Sequence, residues 1–515
     1  MIKSFHSLLQ AVKIEIPPNL EDPFISGISS DSRNINKGDL FVGIPGENVD
    51  GGCYCSQAFS GGAVAAIVGP STTNQIPQDK KNFVLVVPDP VTKYLGELSA
   101  EFWGNPSLKM RLIGVTGTNG KTTTTHLIEF LSKAVGEETA LFGTLVNRWP
   151  MHSETSTHTT LFGDSLHSKL ASASSKGASL GAMEVSSHAL SQYRVAGIKF
   201  SGAVFTNLTQ DHLDYHDTME TYFEAKSRLF KSPLMVLSET RVVVNIDDEW
   251  GARLAKSLGD CCWRSSIDSK VIESEKPELF MRDLKMTSDG VEGVLFTPLG
   301  SGSFRSALIG GFNLMNLLQA IGVLVQQGLN IDELLVASEK FPGVPGRMEK
   351  VEILNPSNNL DFPTVLIDYA HTPDGLRNAL LALKPFTLGR LICLFGCGGD
   401  RDKSKRPKMG SIAAQVADVL IVTSDNPRTE HPQRIIDNIL EGIPREREVF
   451  VELDRAIAID RAISIAQKDD VVLIAGKGHE DYQILGDQKI YFNDREISEN
   501  IFRKNLESRR LDSIN

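Results

Sequence analysis

The sequence predicts an α/β protein of three domains: a small N-terminal α/β module over residues 1–107, a central phosphate-loop domain with a parallel sheet over 108–345, and a C-terminal Rossmann-like α/β domain over 346–515. Three observations lead there. Short apolar runs alternate with amphipathic stretches along most of the chain, the pattern of βα units that build parallel sheets. One such run stops at a glycine-rich turn and opens into a helix-like stretch, RLIGVTGTNGKTTTTHLIEF. The ends of many runs also carry clusters of polar and ionisable residues, where open parallel sheets hold their ligands.

A chain of 515 residues is too long for one core, and two to four domains is the reasonable range. Hydrophobic content of 41% and charged content of 23% are those of an ordinary soluble globular protein. The formal net charge of −11 argues against non-specific binding to nucleic acid or to a membrane surface, while leaving room for a locally positive pocket. No run of about 18 apolar residues is present, so no transmembrane helix is expected. The opening MIKSFHSLLQAVKIEIPPN lacks the apolar core and cleavage site of a signal peptide. The six cysteines fall as Cys53/Cys55, Cys261/Cys262 and Cys393/Cys397, without zinc-site spacing or a secreted disulfide framework. Reduced thiols in a cytoplasmic protein are expected.

In chain order, DLFVGI and AAIV are β-like runs broken by Gly, Pro and Ser. The segment EFWGNPSLKM reads as a linker, because the residue before Pro106 is pushed out of helical geometry. The glycine-rich turn follows as Gly117, Thr118, Asn119, Gly120, Lys121, Thr122 and Thr123. It is a shorter form of the common phosphate loop, since the residue five before Gly120 is Val115 rather than glycine. Backbone N–H groups of such a loop point at an anion, and the following helix dipole adds to the attraction. Lys121 would reach the terminal phosphates and the Thr122 hydroxyl would hold magnesium. ALFGTL, GAMEVS, GAVFTN and RVVVNID continue the alternation, FPGVPGRME marks the next boundary, and TVLIDYA, RLICLFG, DVLIVTS and DVVLIAG form the third domain.

The strand ends supply the candidate chemistry. Glu184 is well placed to hold the magnesium of a bound nucleotide. Asp211, His212, Asp214 and His216 crowd after the next strand and suggest metal or phosphate chemistry. Asn245, Asp247 and Asp248 could meet a base or ribose. Lys226 lies among Tyr222, Phe223, Ala225, Leu229 and Phe230, and spacing alone makes it a snorkelling lysine. In the third domain Asp368 and His371 end one strand, and Arg401, Lys403, Lys405 and Arg406 follow Gly-Cys-Gly-Gly after another. That basic loop suits a carboxylate or phosphate. Arg428 follows Asp425-Asn426-Pro427, where the proline fixes a turn and the guanidinium can clamp a carboxylate at two points. Glu480 could accept hydrogen bonds from an ammonium group.

The segments DSRNINKGDLFVGIPGENVDG, GVTGTNGKTT, AMEVSSHAL, FTNLTQDHLDYHDTMETYFEAKSRLF, GVPGRME, DYAHTPDGL, LFGCGGDRDKSKRPKMG, SDNPRTE and GKGHEDYQ, in this joint order, resemble the Mur ligase family over almost the whole length. Within it the chain looks like the members that add the third amino acid to UDP-N-acetylmuramoyl-L-alanyl-D-glutamate. The resemblance implies one domain each for the UDP-substrate, ATP and the incoming amino acid. It assigns Ser30, Ser32, Glu47, Asn48 and Val49 to the UDP portion, and His158, Thr159, Thr160, Ser186, Gln192 and Arg194 to the muramoyl-dipeptide. Many relatives have Asn-Thr-Thr or Thr-Thr-Pro where this chain reads His158-Thr159-Thr160-Leu161. Gly117 to Thr123 together with Asn313, Arg347, Asp368 and His371 would surround ATP. The family's lysine at position 226 is carbamylated, which would turn an ammonium into a carboxylate able to ligate a second magnesium with Glu184 and His212.

For the amino acid, the family's meso-diaminopimelate enzymes carry the Asp-Asn-Pro-Arg motif found here at Asp425, Asn426, Pro427 and Arg428, whereas the lysine-adding relatives lack the arginine. Diaminopimelate has a far carboxylate that lysine does not, and without it the guanidinium would be left unpaired. Arg401, Gly476 and Glu480 would complete that pocket. The implied activity is an ATP-dependent, ADP-forming amide ligation through an acyl phosphate in cytoplasmic peptidoglycan precursor synthesis, with two magnesium ions, ATP as co-substrate and a monomeric chain. The alternatives are the lysine-adding version of the same ligase and a folylpolyglutamate synthetase-like ligase, the latter disfavoured by the N-terminal DSR…GDLFVGIPG module. An NTPase coupled to movement and a non-catalytic nucleotide-sugar binder are further readings. The second of these would be expected to lose Lys121, Glu184 or Lys226.

Overall fold

The computed structural model describes residues 1–46, 48–235, 241–287, 290–351 and 362–512. In the N-terminal sheet, β1 (Gly27–Ser29), β2 (Asp39–Val42), β3 (Ala65–Val68) and β4 (Val84–Val86) lie side by side in chain order, all parallel. β2 and β3 are buried at every position, which is why they read as unbroken apolar runs. Helix α1 (Val91–Phe102) covers this sheet with Val91, Leu95, Leu98 and Phe102, one stripe at helical spacing.

The central sheet contains β5 (Arg111–Thr116), β6 (Thr139–Phe142), β7 (Val146–Trp149), β8 (His152–Thr155), β9 (Leu180–Glu184), β10 (Gly202–Phe205), β11 (Val242–Asn245), β12 (Cys262–Ser266), β13 (Leu279–Thr287), β14 (Gly290–Thr297) and β15 (Gly300–Ser306). Their spatial order is β8-β7-β6-β9-β5-β10-β11-β12-β13-β14-β15. The run β6-β9-β5-β10-β11-β12-β13 is parallel, as the βα alternation predicts. Both edges are antiparallel hairpins, β6–β7–β8 and β13–β14–β15, which the alternation did not reveal. The chain leaves β5 towards one side and later resumes at β10 on the other. The loop after β5 therefore sits at a topological switch point, where a crevice opens beyond the strand ends. Helix α2 (Lys121–Ala134) starts at that loop. Helix α3 (Gly163–Ser175) meets α1 through small residues: a Cβ on Gly163 would lie 2.8 Å from the Cα of Gly96. Helix α4 (Met219–Ser227) carries Lys226 and begins at a Thr218–Thr221 capping box. The apolar α5 (Gly311–Gln326) is buried against the sheet along most of its length.

The C-terminal sheet contains β16 (Glu349–Lys350), β17 (Thr364–Asp368), β18 (Leu391–Phe395), β19 (Val419–Thr423), β20 (Phe450–Glu452) and β21 (Val471–Ala475), ordered β16-β17-β21-β18-β19-β20 and parallel except at β16. Helix α6 (Lys405–Val416) follows the glycine loop after β18. Arg455, which opens α7 (Arg455–Ile465), and Asp494, which opens α8 (Asp494–Asp512), form a fully buried two-point ion pair at 2.8 Å. The guanidinium also donates to the carbonyls of Ser424 and Ala475, tying together the ends of β19 and β21. Asp494→Asn leaves that buried cation without its counter-charge. It is expected to destabilise the C-terminal domain by about 3–5 kcal/mol. An unchanged urea midpoint for that domain's transition would refute this.

Among the described residues, no helix is long and apolar enough to cross a membrane. The six cysteines are all free thiols.

Candidate active site

Three groups of strand and helix ends converge on one cavity of about 250 Å³. The loop after β5 supplies Thr118, Asn119, Gly120, Lys121, Thr122 and Thr123; β9 supplies Glu184; Asn313 comes from the start of α5. Arg347, Asp368 and His371 close the cavity from the C-terminal domain. Every residue that the resemblance assigns to ATP thus lines this space, apart from Gly117, whose carbonyl lies just beneath it. Glycine is required at the loop's turns. Gly117 has φ +151° and Gly120 has φ +87°, and a Cβ on either would collide with Thr206 or Asn316 respectively.

The Lys121 ammonium donates to the carbonyls of Gly117 and Thr118 at 2.9 and 2.8 Å. Burial pushes its pKa below the ordinary lysine value. Lys226 donates to the same Gly117 carbonyl at 2.7 Å and its side chain is 1% exposed, so it does not snorkel. The apolar neighbours that suggested a snorkelling lysine enclose the amine instead. Burial first, and then the Lys121 charge, push its pKa well below the usual range, which favours a neutral amine.

Glu184 accepts from the Thr122 hydroxyl at 3.1 Å. Thr144, just beyond β6, holds both oxygens of the same carboxylate, through its N–H at 2.8 Å and its hydroxyl at 3.0 Å. Sequence reasoning missed Thr144, although it stands in the quoted ALFGTL at a strand end. It also missed Asn316, one helical turn after Asn313, whose Oδ1 accepts from the Thr124 hydroxyl at 3.3 Å. The polar stretch after β10 divides in two. Asp211 and His212 face the cavity, whereas Asp214 is exposed and His216 is buried on the Ser187 hydroxyl at 2.9 Å. His212 keeps 43% of its side chain open, and desolvation by the groups around it pushes its pKa down to about 4 against the pull of Asp211 at 3.3 Å, which favours a neutral imidazole.

Asn245, Asp247 and Asp248 do not reach this cavity. Asn245 donates to the Thr206 carbonyl, Asp247 accepts from Ser266 and Ile267, and Asp248 accepts from Leu208 and Gly251, capping the helix Glu249–Leu258. The same short polar side chains that suit a ribose are also good helix caps, and Asp248 is one, while Asn245 and Asp247 tie neighbouring strand ends together.

Thr160, Ser186, Gln192 and Arg194 form one cluster beyond β9. The Thr160 hydroxyl donates to the Glu184 carbonyl, the Ser186 N–H donates to Thr160, and Arg194 donates to Gln192 and to the Thr160 carbonyl while lying 4.0 Å over the Phe162 ring. Thr159 reaches the cavity beside Thr144 at 3.1 Å. His158 packs edge-on to Phe162. Ser30 is bound to the central domain, its N–H and hydroxyl both donating to Asp164 on α3 at 2.8 and 2.7 Å. Ser32, whose hydroxyl donates to Gln57, lies on the N-terminal domain with the exposed Asn48 and Val49, and Glu47 lies outside the described residues.

The remaining candidates gather beyond β18, β19 and β21. Arg428 has φ +53°, its N–H donates to Ile484 and its Nη1 to the Gly399 carbonyl at 2.8 Å. Arg401, at the end of the same glycine loop, is exposed. A Cβ on Gly398 would sit 2.9 Å from the Arg428 Nη1 and 3.9 Å from the Arg401 Cγ. Pro427 touches the loop through its carbonyl. Asn426 donates to Glu480 at 2.8 Å, and the buried Lys477 lies 3.3 Å from Glu480 and 3.4 Å from Asn426. Asp425 stands 2.6 Å from where a Cβ on Gly476 would be. Burial raises the Glu480 pKa, against the opposing pull of Lys477. Lys477 was also missed, though it stands inside AGKGHED.

Residues 24–103 match the Mur ligase family catalytic domain, 115–324 the Mur ligase middle domain, and 346–478 the Mur ligase glutamate ligase domain. The chain is 57% identical over 507 residues to the UDP-N-acetylmuramoyl-L-alanyl-D-glutamate–2,6-diaminopimelate ligase of Prochlorococcus marinus, covering 98% of this chain and 100% of that one. The chain belongs to the Mur ligase family. A second relative of the same name, from Parasynechococcus marenigrum, is 58% identical over 504 residues, again covering 98% and 100%. A solved structure of a ligase of that name is 32% identical with a TM-score of 0.68, covering 98% of this chain and 99% of that one. As in other Mur ligases, each of the three domains is an α/β unit, and the phosphate-loop cavity belongs to a family that uses ATP.

Proposed function

We propose that this Mur ligase joins meso-diaminopimelate to UDP-N-acetylmuramoyl-L-alanyl-D-glutamate at the expense of ATP, a cytoplasmic step of peptidoglycan precursor synthesis. The observation that carries the reading is the Arg428 turn, held against a glycine loop and beside Asn426 and Glu480. One corner thus offers a guanidinium for a carboxylate and an acidic side chain for an ammonium, the two charged groups at the far end of diaminopimelate. Its support is the identity of 55% or more, over nearly the whole chain, with relatives named for that reaction.

The γ-phosphoryl group of ATP passes to the D-glutamate carboxylate, giving an acyl phosphate and ADP. The neutral amine of diaminopimelate attacks the acyl carbon, and the tetrahedral intermediate expels phosphate as the amide forms. Lys121 steadies the charge on the transferring phosphoryl group. Arg194, Ser186 and Thr160 orient the muramoyl-dipeptide so that its carboxylate meets that group in line. Arg347 and His371, contributed by the C-terminal domain, help exclude water from the acyl phosphate when the cavity is filled.

Among the described residues no three His, Cys, Asp or Glu side chains gather as a metal site. The donors at hand are the Thr122 hydroxyl, the Glu184 carboxylate and the neutral His212, and magnesium prefers oxygen. A carbamate on Lys226 would add the missing oxygens, and its neutral, buried amine is the form that adds carbon dioxide. Thr122, Glu184, His212 and carbamylated Lys226 would then hold two magnesium ions, whose chemistry is to neutralise phosphate charge.

The test supplies ATP and UDP-muramoyl-dipeptide with either diaminopimelate or lysine, and follows phosphate release. Diaminopimelate should be strongly preferred. Arg428→Ala should cost about 2–3 kcal/mol in kcat/KM for diaminopimelate and little for lysine, because only the first loses a charged partner. Equal wild-type rates with both amines would refute the role of Arg428.

A further inference from the structure

The Arg428 corner is held together from behind by an ion pair, fully buried at Arg406 and half-buried at Glu430, where the exposed Lys403 also lies 3.5 Å away; neither residue lines the phosphate-loop cavity. Arg406 on α6 is fully buried and forks onto Glu430, with Nη1 to Oε2 at 3.0 Å and Nη2 to Oε1 at 2.8 Å. Its remaining bonds go to Asn438 Oδ1 at 3.0 Å and the Gly398 carbonyl at 3.3 Å. Glu430 stands two residues after Arg428, and its Oε1 also accepts from the Asp400 N–H at 2.6 Å. Asp400 in turn accepts from the N–H and hydroxyl of Thr429 at 3.0 and 2.9 Å. The Gly399 N–H donates to the Asn426 carbonyl at 2.9 Å. One guanidinium thus grips both the glycine loop, through Gly398, and the turn, through Glu430.

We propose that the Arg406–Glu430 pair is a positioning device for amino-acid choice: it fixes the distance between the glycine loop and the Asp425–Arg428 turn, and so aims the Arg428 guanidinium at the far carboxylate of the substrate. This rests on the reading of the corner as the diaminopimelate site. Arg428 depends on that spacing, because its Nη1 bonds the Gly399 carbonyl and its neighbour Pro427 packs against Gly399. The two glycines allow the close approach, since a Cβ on Gly399 would collide with the Pro427 carbonyl. The fork is also charge-assisted at both ends, and the Arg406 guanidinium beside Glu430 holds its carboxyl at about 2. The clamp therefore stays ionised across the working pH range. A lysine at 406 would keep the charge but reach only one of the two segments.

The test measures KM for diaminopimelate, ATP and UDP-muramoyl-dipeptide, the diaminopimelate-to-lysine preference, and thermal stability, in wild type, Glu430→Gln and Arg406→Lys. Glu430→Gln keeps the shape and one acceptor but loses the charge. It should raise KM for diaminopimelate roughly tenfold, the cost of a slightly misaimed partner. It should also reduce the preference over lysine by a similar factor, with the other two KM values within about twofold. Arg406→Lys should fall in the same direction. A merely structural pair would move all three KM values together with Tm and leave the preference intact, and that result overturns the proposal. So does an unchanged KM for diaminopimelate in a folded Glu430→Gln protein. If the wild type itself shows no diaminopimelate-dependent phosphate release, the functional reading fails first and takes the clamp with it.

Discussion

Lys121→Ala is expected to abolish product formation, lowering kcat by roughly a thousandfold or more. The ammonium is held at the mouth of the loop by the Gly117 and Thr118 carbonyls, so it is already aimed when ATP arrives. Its desolvated surroundings make it a stronger partner for phosphate than an exposed lysine would be. No other loop side chain carries a positive charge. Stability should suffer little, because the substitution removes a desolvated charge whose hydrogen bonds go only to the Gly117 and Thr118 carbonyls. Product formation by mass spectrometry, with circular dichroism as the folding control, checks both halves. Turnover within tenfold of wild type would sink the phosphoryl-transfer assignment.

Lys226→Arg should be nearly as damaging, about a hundredfold or more in kcat, although it preserves positive charge and much of the length. Arginine cannot take up carbon dioxide, and a permanent cation beside Lys121 would repel rather than ligate a metal. If Lys226 served only to bond the Gly117 carbonyl, arginine would largely replace it. The intact wild-type protein should show the mass of one added carbamate under native conditions and lose it on acid treatment. Near-normal turnover in the arginine variant, or no carbamate in an active wild type, would refute the metal-ligating role proposed for Lys226.

Much of the arrangement was readable in the residues, for a physical reason. Parallel strands buried on both faces, such as Val242–Asn245 and Leu391–Phe395, must be continuous apolar runs, and those runs stop where backbone meets solvent and ligand. TGTNGKT announces its own backbone, since Gly117 and Gly120 need dihedrals and clearances that only glycine tolerates. The hairpins at the two edges of the central sheet were less readable, because short strands with one exposed face resemble polar loops in composition.

Side-chain identity alone could not say which polar groups work and which only hold the fold. Asp248 and Glu184 are both carboxylates at strand ends, yet one caps a helix while the other lines the cavity with Thr122 and Thr144. Lys226 and its apolar neighbours fit a snorkelling surface residue until α4 packs against the sheet and buries the amine under Gly117. Local sequence thus determined the buried parallel strands, the phosphate loop and the acid–amide–proline–arginine turn, because each depends on nearby backbone preferences. The burial of Lys226, the pairing of Thr144 with Glu184 and the Arg406–Glu430 clamp arise only when segments far apart in the chain meet, since desolvation and hydrogen bonding are set by neighbours in space.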